Sequence, residues 1–170
     1  MRKSLNFITL VLLFALLYGC GYHVAGRGTR IEGIERLAIP VFVNKTQKPD
    51  IESIMTTAVV DEFVNIATIV DEKDADAVLR GVIKSYELRP ISYSERDVVN
   101  EYRLSVVFQF ELLSTPDGRV IWKDDIPDYE DFQVNTASVT ATKQQEIEVF
   151  RKMARDTARL LRERILEEVY

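Results

Sequence analysis

The sequence predicts an α+β fold, a two-layer sandwich in which a small, mainly antiparallel sheet is covered by two helices. Three observations point there. Tyr102, Leu104, Val106, Phe108, Phe110 and Leu112 alternate with Arg103, Ser105, Gln109 and Glu111, the period-two signature of a strand with one buried face. Two other segments, from Ile51 to Ile66 and from about Thr140 to Glu168, repeat apolar residues at helical spacing. The order is strand, helix, several strands, helix, and each helical stripe has to be laid on another element to leave water, most economically on the sheet.

Taken in order, Leu37–Val43 is a continuous apolar run of the kind expected from a strand buried on both faces, with Pro40 placing an edge or a bulge in it. Asn44 to Pro49 is a polar loop, and Asp50 stands where an N-cap belongs. Ile51, Ile54, Met55, Ala58, Val59, Phe63 and Ile66 then trace one face of a helix of about four turns. A short strand is expected at 67–70, an acidic turn at 71–76, and a long strand from Ala77 to Leu88 that stops before Pro90. After the alternating strand, Thr115-Pro116-Asp117-Gly118 supplies a preset φ and a residue that accepts positive φ, so the chain turns back into Arg119–Lys123 and on through Tyr129 toward Val134. The last helix is expected to bury Ile147, Phe150, Met153, Ala154, Thr157, Leu160, Leu161 and Ile165.

The first 33 residues read differently. Arg2 and Lys3 precede an apolar run from Phe7 to Leu17, too short for the ~20 residues of a spanning helix and arranged like an export signal. Leu17-Tyr18-Gly19-Cys20 resembles the bacterial lipobox, although Tyr18 stands where a small residue is usual. Residues 1–19 are thus expected to be a lipoprotein signal peptide, 20–33 a lipidated Cys20 with a Gly-rich tether, and 34–170 one α+β domain. Each buried CH₂ of an acyl chain contributes ~0.8 kcal/mol, so several chains on Cys20 anchor the protein stably. Losing Arg2 and Lys3 takes the 22 basic residues to 20 against 27 acidic ones, a formal charge of −7 in place of −5. That balance argues against a nucleic-acid partner.

Cys20 and His23 are the only thiol and imidazole, and both lie in the leader, where no core holds them in a catalytic geometry. No HExxH, paired CxxC, GxSxG or phosphate-loop pattern occurs, so the chain is expected to be no enzyme and to need no cofactor or metal. Asp71, Glu72, Asp74 and Asp76 lack the glycine and closing glutamate of a calcium loop and read as a solvated turn. Arg151, Arg155, Arg159 and Arg162 form a stripe of like charge on the last helix. It is either a seat for an anionic ligand, since guanidinium forks suit phosphate, or a set of local pairs with Glu148, Asp156 and Glu163.

Several segments in series resemble the lipopolysaccharide-assembly lipoprotein family LptE. They are Gly19-Cys20-Gly21-Tyr22-His23, Ile39–Thr46 leading through Pro49 to Ile51-Glu52, Asp61-Glu62-Phe63, Asp74–Gly81, and Glu101-Tyr102. The resemblance implies a non-enzymatic lipoprotein on the periplasmic side of the outer membrane of a Gram-negative cell. It would plug the β-barrel LptD, support the barrel's assembly and assist lipopolysaccharide transport. It also implies lipopolysaccharide contact through basic residues near Arg96 and Lys143, for each of which a solvated charge is the alternative. Two other readings compete. One is a lipoprotein activator of an envelope enzyme such as a peptidoglycan synthase, which a tether of roughly 13 residues, at most ~45 Å extended, would have to reach. The other is a periplasmic hydrolase using Asp61 and Glu62, adjacent residues that do not face each other on a helix.

Overall fold

Three long strands and two helices make up most of the computed structural model, which describes residues 31, 33–95, 97–134 and 138–169. The signal segment, Cys20, His23, most of the tether and Arg96 lie outside the described residues. The elements are β1 (Arg36–Ala38), β2 (Val43–Asn44), α1 (Ile51–Phe63), β3 (Thr68–Ile69), β4 (Ala77–Tyr93), β5 (Val99–Ser114), β6 (Val120–Gln133) and α2 (Val139–Glu168). They form one six-stranded sheet in the order β3-β1-β4-β5-β6, with β2 also paired to β4, and the two helices give the α+β fold expected. β4, β5 and β6 are antiparallel, while β1, β2 and β3 pair in parallel.

Both helices lie on one face of the sheet. The alternating residues Leu104, Val106, Phe108, Phe110 and Leu112 are buried there with Leu79, Ile83, Trp122 and Ile126, against Met55, Val59 and Phe63 of α1 and Phe150, Met153, Ala154 and Leu161 of α2. Among the described residues, core contact begins at Ile31, which is 3% exposed and precedes a turn at Gly33 with φ 75°. The turn at 115–118 is as expected: Gly118 has φ 67° and donates its N–H to the Ser114 carbonyl at 2.9 Å.

Four expectations are corrected. The run Leu37–Val43 is not one strand buried on both faces, because the far face of the sheet carries no helix among the described residues. Val41 and Val43 are 68% and 54% exposed, and the chain breaks between β1 and β2, around Pro40, so that Phe42 turns into the core. There Phe42 lies on Gly81, where a Cβ would stand 2.7 Å from its ring, and packs edge-on against Phe110 at 5.7 Å. β4 does not stop at Pro90 but continues to Tyr93. Beyond Ile83 it has no described neighbour other than β5, so a residue without an N–H costs no ladder bond on its open edge. Asp50 occupies the N-cap position of α1 but adopts φ 68° and makes no side-chain cap bond, whereas Ser138 does cap α2 by accepting from the Ala141 N–H at 3.2 Å. On α2, Leu160 is 37% exposed and Ile147 only half-buried, while Glu146 and Ala158 are buried in their place.

Candidate binding surfaces

The face of the sheet opposite the two helices is a field of matched charges. Lys84 on β4 bonds Asp125 on β6 at 2.8 Å, Lys123 on β6 bonds Glu111 on β5 at 2.6 Å, and Arg103 bonds Asp131 through Nε and Nη2 at 2.7 and 2.8 Å. Arg103 also stacks over Tyr129, 4.7 Å from its centroid, which places that exposed aromatic on the sheet face. Hydrogen bonds from Lys84 and from Arg103 hold the Asp125 and Asp131 carboxyls below the ordinary carboxylate range. Exposed Val41 and Val43, with Val82 between strands, floor a shallow hollow rimmed by Glu72, Arg80, Gln109 and Glu111. The face is polar but internally neutralised, a surface suited to wet, polar surroundings.

The acidic turn is not simply solvated. Glu72–Asp74 forms a 3₁₀ turn, but Asp76 accepts the backbone N–H groups of Glu35 and Arg36 at 3.2 and 2.9 Å and the Arg36 guanidinium at 2.6 Å. These bonds, with the Arg36 side chain first, depress its pKa and tie β1 to the start of β4. No group of three or more metal-ligating side chains occurs among the described residues.

Near the start of α2, a polar triad of which only the glutamate is buried stands against the core. Glu146 is 7% exposed and accepts from Tyr86 Oη at 2.6 Å and from Lys48 Nζ at 2.7 Å, with Lys48 lying 5.6 Å from the centroid of the Tyr86 ring. Burial first, and the hydrogen bond to Glu146 second, push the Tyr86 phenol far above its ordinary pKa, so Tyr86 stays a donor. The loop that delivers Lys48 is itself pinned, because Asn44 donates to the Lys48 carbonyl at 2.6 Å and to Glu52 at 2.8 Å. No buried side-chain nitrogen or oxygen among the described residues lacks a partner. Sequence reasoning missed this triad; the one signal was that Glu146 sits four residues before Phe150 on the stripe later occupied by Ala154, Thr157, Leu161 and Ile165.

The arginine stripe divides. Arg151 pairs with Glu148 at 2.8 Å, one of the expected local contacts, while Arg162 reaches chiefly across to Glu62 of α1 at 3.0 Å and only loosely to Glu163 at 3.8 Å. Arg155 and Arg159 are exposed and form no ion pair among the described residues, and neither does Lys143. Lys143 borders a surface hollow shared with Ile147 and Arg151. The Asp61–Glu62 carboxylates point apart, Glu62 to Arg162 and Asp61 toward the interhelix groove, so they do not form an acid/base pair.

A six-stranded sheet packed on two helices, with paired charges on the face opposite them, defines an α+β scaffold that presents a polar surface. The chain belongs to the LptE lipopolysaccharide-assembly family, whose model matches residues 34–165. Among solved structures, rare lipoprotein B of Shewanella oneidensis is similar at 20% identity and a TM-score of 0.53, covering 78% of this chain and 91% of that one. A minor lipoprotein of Acinetobacter baumannii is similar at 19% identity and 0.51, with coverage of 78% and 91%. An uncharacterized lipoprotein B of Nitrosomonas europaea matches at 19% and 0.50, with coverage of 83% and 87%. At these identities the likeness is one of fold. No curated protein sequence matches the chain.

Proposed function

We propose that this lipopolysaccharide-assembly protein is a non-enzymatic lipoprotein, acylated at Cys20 and anchored on the periplasmic side of the outer membrane. There it plugs the LptD β-barrel, supports the barrel's assembly and helps pass lipopolysaccharide to the surface. Residues 1–19 would be removed as the signal, 20–33 would serve as the lipidated tether, and 34–170 would form the plug. No helix among the described residues is long and apolar enough to cross a membrane, so attachment would fall to the acyl chains.

The observation that carries the reading, beside family membership, is the uncovered sheet face. An antiparallel sheet commonly packs one face on the core and leaves the other to solvent, and here the solvent face carries ion pairs across the strands. The lumen of a transmembrane barrel is polar, and such a face can enter it without stranding charge. The test is a mild-detergent pull-down of the tagged, full-length lipoprotein. A large outer-membrane barrel is expected among the partners; its absence, or recovery of a peptidoglycan synthase instead, overturns the plug reading. A photo-crosslinker at Val41 on the open face should capture that barrel, and intact-mass analysis should show Cys20 acylated.

A further inference from the structure

Two long strands of the sheet present open edges, and the edges differ in what they offer. β6 is paired only to β5 among the described residues. It carries Asp124, Asp125, Asp128, Glu130 and Asp131 around Pro127, so a second copy laid along it would set carboxylate against carboxylate. β4 is lined by β1 and β2 only as far as Ile83, whose carbonyl accepts the Lys45 N–H at 3.0 Å. From Ser85 to Tyr93 its outer side has no described neighbour, and the stretch holds no lysine to deter pairing. Leu88, Ile91, Tyr93 and Val98 are exposed there, which puts apolar surface on the hairpin that also presents an open backbone edge.

The side chains of this stretch suit one occupant. The register with β5 sets Tyr86, Leu88 and Pro90 opposite Val106, Leu104 and Tyr102, on the helix side of the sheet, and Glu87 and Arg89 on the other face. Arg89 stands across from Arg103, a like charge, and its ion-pair partner is Glu87 on the same strand. An antiparallel copy related by a two-fold axis at Leu88 supplies a second carboxylate. Glu87 then lies opposite the partner's Arg89, Arg89 opposite the partner's Glu87, and Leu88 against the partner's Leu88 on the apolar side. Pro90 has no N–H to give, so the ladder thins where it meets Tyr86 and pairing is confined to about five residues a side. Such an interface is isologous and closes on itself, so it yields pairs and not fibres.

We propose that Tyr86–Pro90 of β4 is a self-recognition edge, on which a second copy of this chain pairs antiparallel about Leu88 when the domain is not seated in another partner. The pair joins two sheets into one and covers each Leu88 with its counterpart. It is far smaller than the ~20–30 residues a side of a standard interface, so it is weak, and two copies held in one membrane plane meet at raised effective concentration. That concentrating effect rests on the lipoprotein reading above; the pairing rests on the edge alone. A domain standing singly inside a barrel has to leave the pair, which makes the dimer the form outside the barrel.

The test is sedimentation velocity of the full-length lipoprotein in non-ionic detergent across a series of concentrations. The native chain should pass from monomer to dimer in the micromolar range. Glu87→Arg and Arg89→Glu should each weaken dimerisation by roughly tenfold or more, since each turns both cross-strand pairs from opposite to like charge. The double exchange should restore the native affinity. A short bis-maleimide crosslinker should join chains carrying Leu88→Cys and leave those carrying Val120→Cys, exposed at the start of β6, as monomers. A dimer indifferent to either single exchange, or a double exchange no better than the singles, overturns the proposal. Recovery of the barrel from a chain that stays monomeric at every concentration sinks this proposal and leaves the plug reading. A charge-sensitive dimer that recovers no barrel does the reverse.

Discussion

Replacing Glu146 by alanine removes the one acceptor that holds Lys48 and Tyr86 together, and the structure sets the size of the effect. Tyr86 is half-buried and its hydroxyl would lose a 2.6 Å bond, for which an unsatisfied buried donor costs about 1–3 kcal/mol. The Lys48 side chain is 27% exposed, so its ammonium can turn to water and recover most of what it loses, leaving about 1 kcal/mol. The sum is a destabilisation of roughly 2–4 kcal/mol, most of it on the Tyr86 side. Tyr86→Phe alone should cost only about 1–1.5 kcal/mol, because Glu146 keeps its cation. Trp122, the single tryptophan and 6% exposed, reports unfolding by fluorescence. With a urea slope of about 1–3 kcal/mol/M, the Glu146→Ala midpoint should fall by roughly 1–2 M. Because Glu146 couples to both partners, the cycle of Glu146→Ala and Tyr86→Phe should be non-additive by at least ~0.5 kcal/mol. A Glu146→Ala midpoint within experimental error of the native one, or strict additivity in that cycle, would refute the assignment of the triad as the clamp at the start of α2.

Gly81→Ala should destabilise by about 1–3 kcal/mol, since the added Cβ meets the Phe42 ring at 2.7 Å in a filled core; a thermal melt unchanged from the native chain would contradict that packing. Burial raises the Asp128 pKa, against the Thr157 hydroxyl and the Tyr129 N–H that lower it. The folded state therefore holds that proton more tightly than the unfolded one, and stability falls as pH rises from the ordinary carboxyl range through the raised pKa. Asp128→Asn should be more stable than the native chain at pH 7, with the gap closing below about pH 4. Asp76 has the opposite sign: its pKa is depressed, so its stabilisation is present above the ordinary carboxyl pKa and lost as pH falls through the depressed one. Asp76→Asn should lose stability at pH 7 and match the native chain in strong acid, both read as Trp122 unfolding midpoints against pH.

The alternation of residues 102–112, the two helical stripes and the turn at 116–118 are local periodicities, and each appears in the structure close to where the residues place it. The errors share another origin. Apolar content alone put Leu37–Val43 in a strand covered on both sides, yet exposure of Val41 and Val43 depends on whether a third layer exists, and no local pattern carries that. Pro90 reads as a strand end until the pairing shows β4 to be an edge at that point. The arginine stripe was legible as a stripe, but which arginines remain unmatched depends on Glu62 arriving from α1.

By itself, then, the sequence determined the kinds of element, their order and the family, because hydrophobic periodicity, turn chemistry and short motifs are written within a few residues. Only the tertiary structure decided what the side chains do. Lys48 and Glu146 lie 98 residues apart and Arg36 and Asp76 lie 40 apart, and hydrogen bonds form at about 3 Å whatever the separation along the chain. The same holds for the open face and the interhelix groove, which exist because two helices share one side of a sheet.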